Sequence, residues 1–217
     1  MANLKKYNLQ SRELGVIPVE DKLLEVKAHP QSIKDYIVAM RNNARQWSAS
    51  TLNRSEVNKT GKKPHQQKGL GRSRQGCLAA PHYKGGGIAF GPRPKFDQHV
   101  RINKKERRAA IASLLAEKIR EDRVLVLQQG DLKEPQTKIL AAFLKGLKLN
   151  GKRVLFLGGS FDAMEMPADV VAVRKSVRNL PKVEFAMVPN LNAYDVMLSG
   201  HIVLLDAAVN ELIETLR

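Results

Sequence analysis

The sequence predicts an α/β fold: a mostly parallel central sheet with helices on both faces, plus a long extended basic loop inserted between two helices. Three observations carry this. From residue 124 onward, short and nearly continuous apolar runs alternate with segments of helical period, the pattern of strands buried on both sides by crossover helices. Residues 53–94 keep neither a period of 2 nor one of 3.6. The positive charge is concentrated in that same stretch.

In chain order, the first clear element is a helix in which Ile33, Tyr36, Ile37, Met40, Ala44 and Trp47 recur at helical spacing behind Pro30, a residue suited to a first helical turn. Beyond the irregular stretch, Asn103 followed by Glu106 marks a capped helix start, and Ile111, Leu114, Leu115 and Ile119 form its apolar stripe. The strands expected after it are 124–127, 154–157, 183–188 and 202–205. The helices between and after them are 135–147, 167–177, 192–198 and 206–216. Nothing repeats at a fixed period and no second core is evident. Residues 1–217 are therefore expected to form a single α/β domain, with residues 50–100 as the inserted loop.

Of 217 residues, 43% are hydrophobic and 27% charged, enough for a core of ordinary domain size. Lys and Arg number 37 against 21 Asp and Glu, a net charge of +16, and such an excess calls for a polyanion. Cys77 is the sole cysteine, which excludes an internal disulfide and a thiolate zinc site and fits a reducing cytoplasm. No apolar run approaches the roughly 20 residues that cross a bilayer, and no apolar stretch follows Lys5 and Lys6. A soluble protein without a membrane partner is expected.

Between residues 41 and 105 fifteen basic side chains face only Glu56 and Asp97, so thirteen of the sixteen net charges fall there. Eight of the 15 glycines lie in the same window, with Pro64, Pro81, Pro92 and Pro94. Loops longer than about 15 residues without structure of their own are usually functional or disordered, and here the charge selects function. Each cation placed on a phosphate releases counterions, while glycine permits close backbone approach and positive φ. Alone in water such a segment is expected to be mobile and to order with its anion. Trp47, Tyr83, Phe90 and Phe96 lie within or beside it, as aromatics that stack on bases or pack on sugars do. The blander alternatives are that Trp47 belongs to the core, that Phe96 anchors the returning chain, and that the charge run is a solvated face.

Catalytic readings fail on context. Around Gly61-Lys62, Glu56 stands where a phosphate-binding loop needs glycine, and Lys63 where it needs a hydroxyl. Phe90 replaces the last glycine of a dinucleotide fingerprint begun at Gly85-Gly86-Gly87, and Pro92 and Pro94 forbid the helix that should follow. Gly69 and Gly71 have no strand before them. Cys77 between His65 and His82 suggests a thiol and its base, but no apolar pocket is evident to hold them in reacting geometry. His29, His99 and His201 lack metal-ligand spacing. No enzyme, cofactor, metal or small-molecule substrate is expected.

The arm's motifs are specific. Arg45-Gln46, Arg54-Ser55-Glu56-Val57, Thr60-Gly61-Lys62-Lys63-Pro64, Gln67-Lys68-Gly69, Gly71-Arg72, Ala80-Pro81, Lys84-Gly85-Gly86-Gly87 and Phe90-Gly91-Pro92 follow one another. Asn103-Lys104-Lys105, Pro135-Gln136-Thr137-Lys138, Arg178-Asn179-Leu180 and Ile202-Val203-Leu204 come after them. In this order they resemble the bacterial form of the large-subunit ribosomal protein four family over nearly the whole chain. The resemblance implies a cytoplasmic, ribosomal location and a structural constituent of the large subunit that supports its assembly. The implied partners are ribosomal RNA, neighbouring ribosomal proteins and the nascent peptide. It also implies an arm whose tip, His65, Gln66, Gln67, Lys68, Gly69, Leu70 and Gly71, helps line the constriction of the peptide exit tunnel. His65 stands where the family commonly has Trp, and Gln66 where Arg is frequent. Trp47, Ser48 and Leu70 depart from Gly, Thr and a small polar residue.

The phosphate-binding side chains expected are Arg45, Arg54, Lys59, Lys62, Lys63, Lys68, Arg72, Arg74, Lys84, Arg93 and Lys95. Such contacts position a protein without reading sequence, so specificity is expected from RNA shape. The competing class is a regulatory or architectural nucleic-acid binder acting off the ribosome.

Overall fold

Val154 and Phe156 point to one side of their strand, Leu155 and Leu157 to the other, and all four are buried. A run apolar at every position is stable only with both faces covered. The computed structural model describes residues 2–94, 98–128, 130, 134–160 and 167–216. Among these, six strands form one sheet: β1 Ala2–Asn8, β2 Glu13–Val19, β3 Val124–Gln128, β4 Val154–Gly158, β5 Val183–Met187 and β6 His201–Leu205. Their spatial order is β2-β1-β3-β6-β4-β5. β1 and β2 pair antiparallel, and every other pairing is parallel.

Seven α-helices accompany them among the described residues: α1 Asp21–Leu24, α2 Pro30–Asn43, α3 Lys104–Arg120, α4 Thr137–Gly146, α5 Ala168–Val177, α6 Ala193–Leu198 and α7 Val209–Leu216. On one face Leu115 of α3, Val196 of α6 and Leu212 of α7 cover Val124, Val126, Leu155, Leu157, Ile202 and Leu204. On the other, Leu140 and Phe143 of α4 and Val170 and Val173 of α5 cover Leu127, Phe156, Val203 and Leu205. Full burial of each such side chain is worth about 1.5–3 kcal/mol, so this double-sided packing is what holds the sheet.

The structure corrects the expected elements in four places. The β1–β2 hairpin was not expected, because Lys5 and Lys6 interrupt β1 and most of β2 is exposed. Its anchors are the buried Leu4 and Val19, and Lys6 is answered by Asp206 at 2.9 Å. α2 ends at Asn43, whose side chain donates to the Val100 carbonyl and accepts from its amide. Ala44 and Trp47 therefore lie outside the helix, and Trp47 has a φ of 55°. β5 stops at Met187 because a 3-10 turn carrying Pro189 begins at Val188. α4 and α7 are shorter than their apolar patterns, α7 being preceded by a 3-10 turn at Asp206–Ala208.

The chain divides into two compact units, Met1–Met40 with Arg101–Arg217, and Arg41–Val100. Past the end of α2, the described residues of the second unit form only turns, bends and irregular backbone. They are tied by hydrogen bonds between distant segments, from Thr51 N to Pro92 O at 3.0 Å, Ile88 N to Leu52 O at 2.9 Å and Gly87 N to Ala79 O at 2.9 Å.

Candidate nucleic-acid interface

Arg45, Arg54, Lys59, Lys62, Lys63, Lys68, Arg72, Arg74, Lys84 and Arg93 are all exposed, while Lys95, like Phe96, lies outside the described residues. Four of the ten cations are held within their own unit. The Arg45 guanidinium lies 5.4 Å from the centroid of the Trp47 ring, a cation–π distance, and the Trp47 indole donates to the Asn42 carbonyl. Lys59 Nζ donates to the Lys84 carbonyl at 2.6 Å, and Lys63 Nζ donates to Gln67. Arg93 pairs with Glu56 at 2.8 Å. The Arg93 guanidinium, together with the Asn53 amide, holds the Glu56 carboxyl below its usual range. Arg93 is thus the cation of this set that a carboxylate already engages, among the described residues.

At the predicted tip, Gln66, Gln67, Lys68, Gly69, Leu70 and Gly71 are exposed and His65 is half-buried. His65 Nε2 lies 3.1 Å from the Ser73 carbonyl oxygen, bracketing the turn, and Gly69 and Gly71 take φ of 88° and 61°, where a side chain is strained. At Gly86 and Gly87 glycine serves a different end. A Cβ there would stand 2.0 Å from the Ala80 carbonyl oxygen and 2.3 Å from the Arg54 nitrogen. These two permit the unit's own segments to approach each other.

The thiol arrangement considered from sequence is not assembled. His65 is engaged with Ser73, His82 Nε2 lies 2.7 Å from Gln75 Oε1, and Cys77 is half-buried. Among the described residues no group of three potential ligands could hold a metal ion, and no helix is long and apolar enough to cross a membrane.

Within the first unit the sheet gathers a second set of cations that sequence reasoning did not single out. Arg123, Arg153 and Lys182 each stand one residue before a strand, β3, β4 and β5, and His201 opens β6. Neighbouring strands lie about 4.8 Å apart, so the parallel order lines these residues along the amino-terminal edge of the sheet. The helices that feed this edge end in Lys118 and Arg120 (α3), Lys145 (α4), and Arg174 and Lys175 (α5), where cations also complement the helix dipole. Arg123 pairs with Glu121 at 3.0 Å, and Lys118 Nζ donates to the Ser199 carbonyl at 2.9 Å. His201 records the resulting field. Burial, then Lys152, Arg123 and Lys118, push its pKa down, and its Nδ1 is buried without a partner. The sequence did contain a signal, a basic residue immediately before each apolar run, but net charge averaged over the domain hides it.

Fold and surface together define an α/β protein whose described surface presents a concentration of cations. The chain belongs to the ribosomal protein L4/L1 family, whose model matches residues 17–215, in agreement with the resemblance carried by the arm's motifs. It is 34% identical to large ribosomal subunit protein uL4 of Lachnospira eligens, over 99% of this chain and 98% of that one. To the protein of that name from Lactobacillus delbrueckii subsp. bulgaricus it is 34% identical over the full length of both. To that of Spiroplasma kunkelii it is 32% identical over 91% of each. The family is one of structural proteins, not enzymes.

Proposed function

We propose that the chain is a structural constituent of the large ribosomal subunit, located on cytoplasmic ribosomes, that binds ribosomal RNA and supports subunit assembly. The observation that carries this reading is the exposure of ten cations on the 41–100 unit of a chain that belongs to a ribosomal family. Each cation brought onto a phosphate adds a salt-sensitive increment of affinity. The cations along the sheet's amino-terminal edge supply a second, smaller contact of the same kind. In this reading residues 50–100 run as an extended arm into folded RNA beside neighbouring ribosomal proteins. The tip at His65 to Gly71 lines the exit-tunnel constriction and meets the nascent peptide.

Sedimentation tests the reading. In a sucrose gradient of a lysate the protein is expected to travel with large subunits and with whole ribosomes. Migration with free soluble proteins under the same conditions contradicts it.

A further inference from the structure

We propose that Phe90 is a stacking finger, its ring held out from the 41–100 unit to lie against an unpaired base of the RNA that the unit binds; the inference rests on the RNA-binding reading above. Phe90 is fully exposed, at 108% of its reference area, and its φ is 53°, a region that bulky side chains rarely adopt. An exposed aromatic on disfavoured backbone gains nothing from its own chain. The conformation is nevertheless fixed from both sides. Ile88 N donates to Leu52 O at 2.9 Å, and Thr51 donates to Pro92 O from its amide at 3.0 Å and from its hydroxyl at 3.2 Å. A Cβ on Gly91 would stand 2.0 Å from Thr51 Oγ1, so the side chain cannot be displaced by one position.

The other described aromatics of this unit are already engaged. Trp47 is covered by Arg45 and hydrogen-bonded to Asn42, and Tyr83 is half-buried with its ring 4.5 Å from that of His82. Phe90 is the one among them whose ring is fully exposed. Leu52 and Ile88, joined by the Ile88 N to Leu52 O hydrogen bond, are exposed as well, and Arg54 stands two residues after Leu52, Lys84 six before Phe90 and Arg93 three after it. The unit carries twelve Lys or Arg against two acids. An exposed apolar ring on so cationic a unit matches a nucleobase on its phosphate backbone better than an apolar protein surface, and stacking on Phe, which has no polar atom, tolerates any base.

The full chain and its Phe90→Ala, Phe90→Leu and Phe90→Tyr variants are titrated with large-subunit ribosomal RNA at several salt concentrations. Because the ring is fully exposed, thermal unfolding of all four is expected to coincide. Alanine is expected to weaken binding roughly tenfold to a hundredfold with the salt slope unchanged, leucine to weaken it nearly as much, and tyrosine to restore it. Wild-type affinity in the alanine variant, or in the leucine variant as an aliphatic protein-type contact would give, overturns the stacking role while leaving a salt-dependent wild-type interaction intact. Failure of the wild-type chain itself to prefer ribosomal RNA over duplex DNA of equal length overturns the reading beneath it as well.

Discussion

Leu115 and Leu70 belong to one chain and live under different physics. Leu115 is wholly buried under the sheet, whereas Leu70 is about half exposed in the 41–100 unit. The contrast extends to the two units around them. In the unit of residues 1–40 and 101–217 apolar side chains fill both faces of the sheet. In residues 41–100, Ala79 is the one buried apolar side chain among the described residues, and order comes from backbone hydrogen bonds and from glycines that admit close approach. One region is specified by burial, the other by hydrogen bonds and shape. Local opening free energies in proteins range from near zero to the global value, and the two units are expected to sit near opposite ends of that range.

The largest test of the contrast is in the core. Phe156→Ala is expected to lower stability by about 3–5 kcal/mol in urea titration, because Phe156 is fully buried between β4 and the α4–α5 layer. A cost below about 1 kcal/mol would contradict a core built on that face. Next comes Gly87→Ala, whose Cβ would meet the Arg54 backbone nitrogen at 2.3 Å. Overpacking of this kind costs typically about 1–3 kcal/mol, and it should be borne locally. Hydrogen exchange is expected to accelerate at the amides of Gly87 and Ile88 while those of β3 and β6 keep their protection. Acceleration across both sets would join the two regions into one cooperative unit.

A smaller effect comes from His201, whose pKa is held down in the folded state by burial and then by Lys152, Arg123 and Lys118. The unfolded chain takes up a proton near the ordinary histidine value of about 6.5, and the folded chain does so only at lower pH. Stability should therefore fall as pH is lowered through the ordinary range, and His201→Gln should remove that part of the slope. An identical slope in the variant would show that the cationic edge does not act on this residue. Smallest of all, Leu70→Ala is expected to shift stability by less than about 0.5 kcal/mol. A loss comparable to that of Phe156→Ala would place Leu70 in a core.

Legibility in the sequence follows the same division. β3, β4 and β6 were readable because burial on both faces leaves an unbroken apolar run. α3 was readable from Asn103, Glu106 and its apolar stripe, although the expected cap is not made: the Asn103 side chain bonds no helix amide and donates instead to the Glu106 carboxylate. The amino-terminal hairpin was not readable. Its burial rests on few side chains, Leu4 and Val19 foremost, and Lys6 depends on Asp206, 200 positions away. Trp47 kept helical spacing yet left the helix, because the Asn43–Val100 bracket turns the chain and no sequence period reports such a bond. For the candidate interface, the charge of residues 41–100 was visible in composition. The cationic edge of the sheet was not, since it is assembled only when strand order sets Arg123, His201, Arg153 and Lys182 side by side.

The central claim is that binding energy belongs chiefly to the charges of the 41–100 unit. It is tested most directly by the salt dependence of binding to large-subunit ribosomal RNA in the wild type and in a variant with Lys62, Lys63, Lys68, Arg72 and Arg74 changed to Gln. A steep linear fall of log affinity with log salt is expected for the wild type. In the variant the slope should be shallower by roughly 0.7–0.9 for each of these residues that meets a phosphate, with thermal unfolding unchanged. Equal slopes in the two proteins would contradict the account.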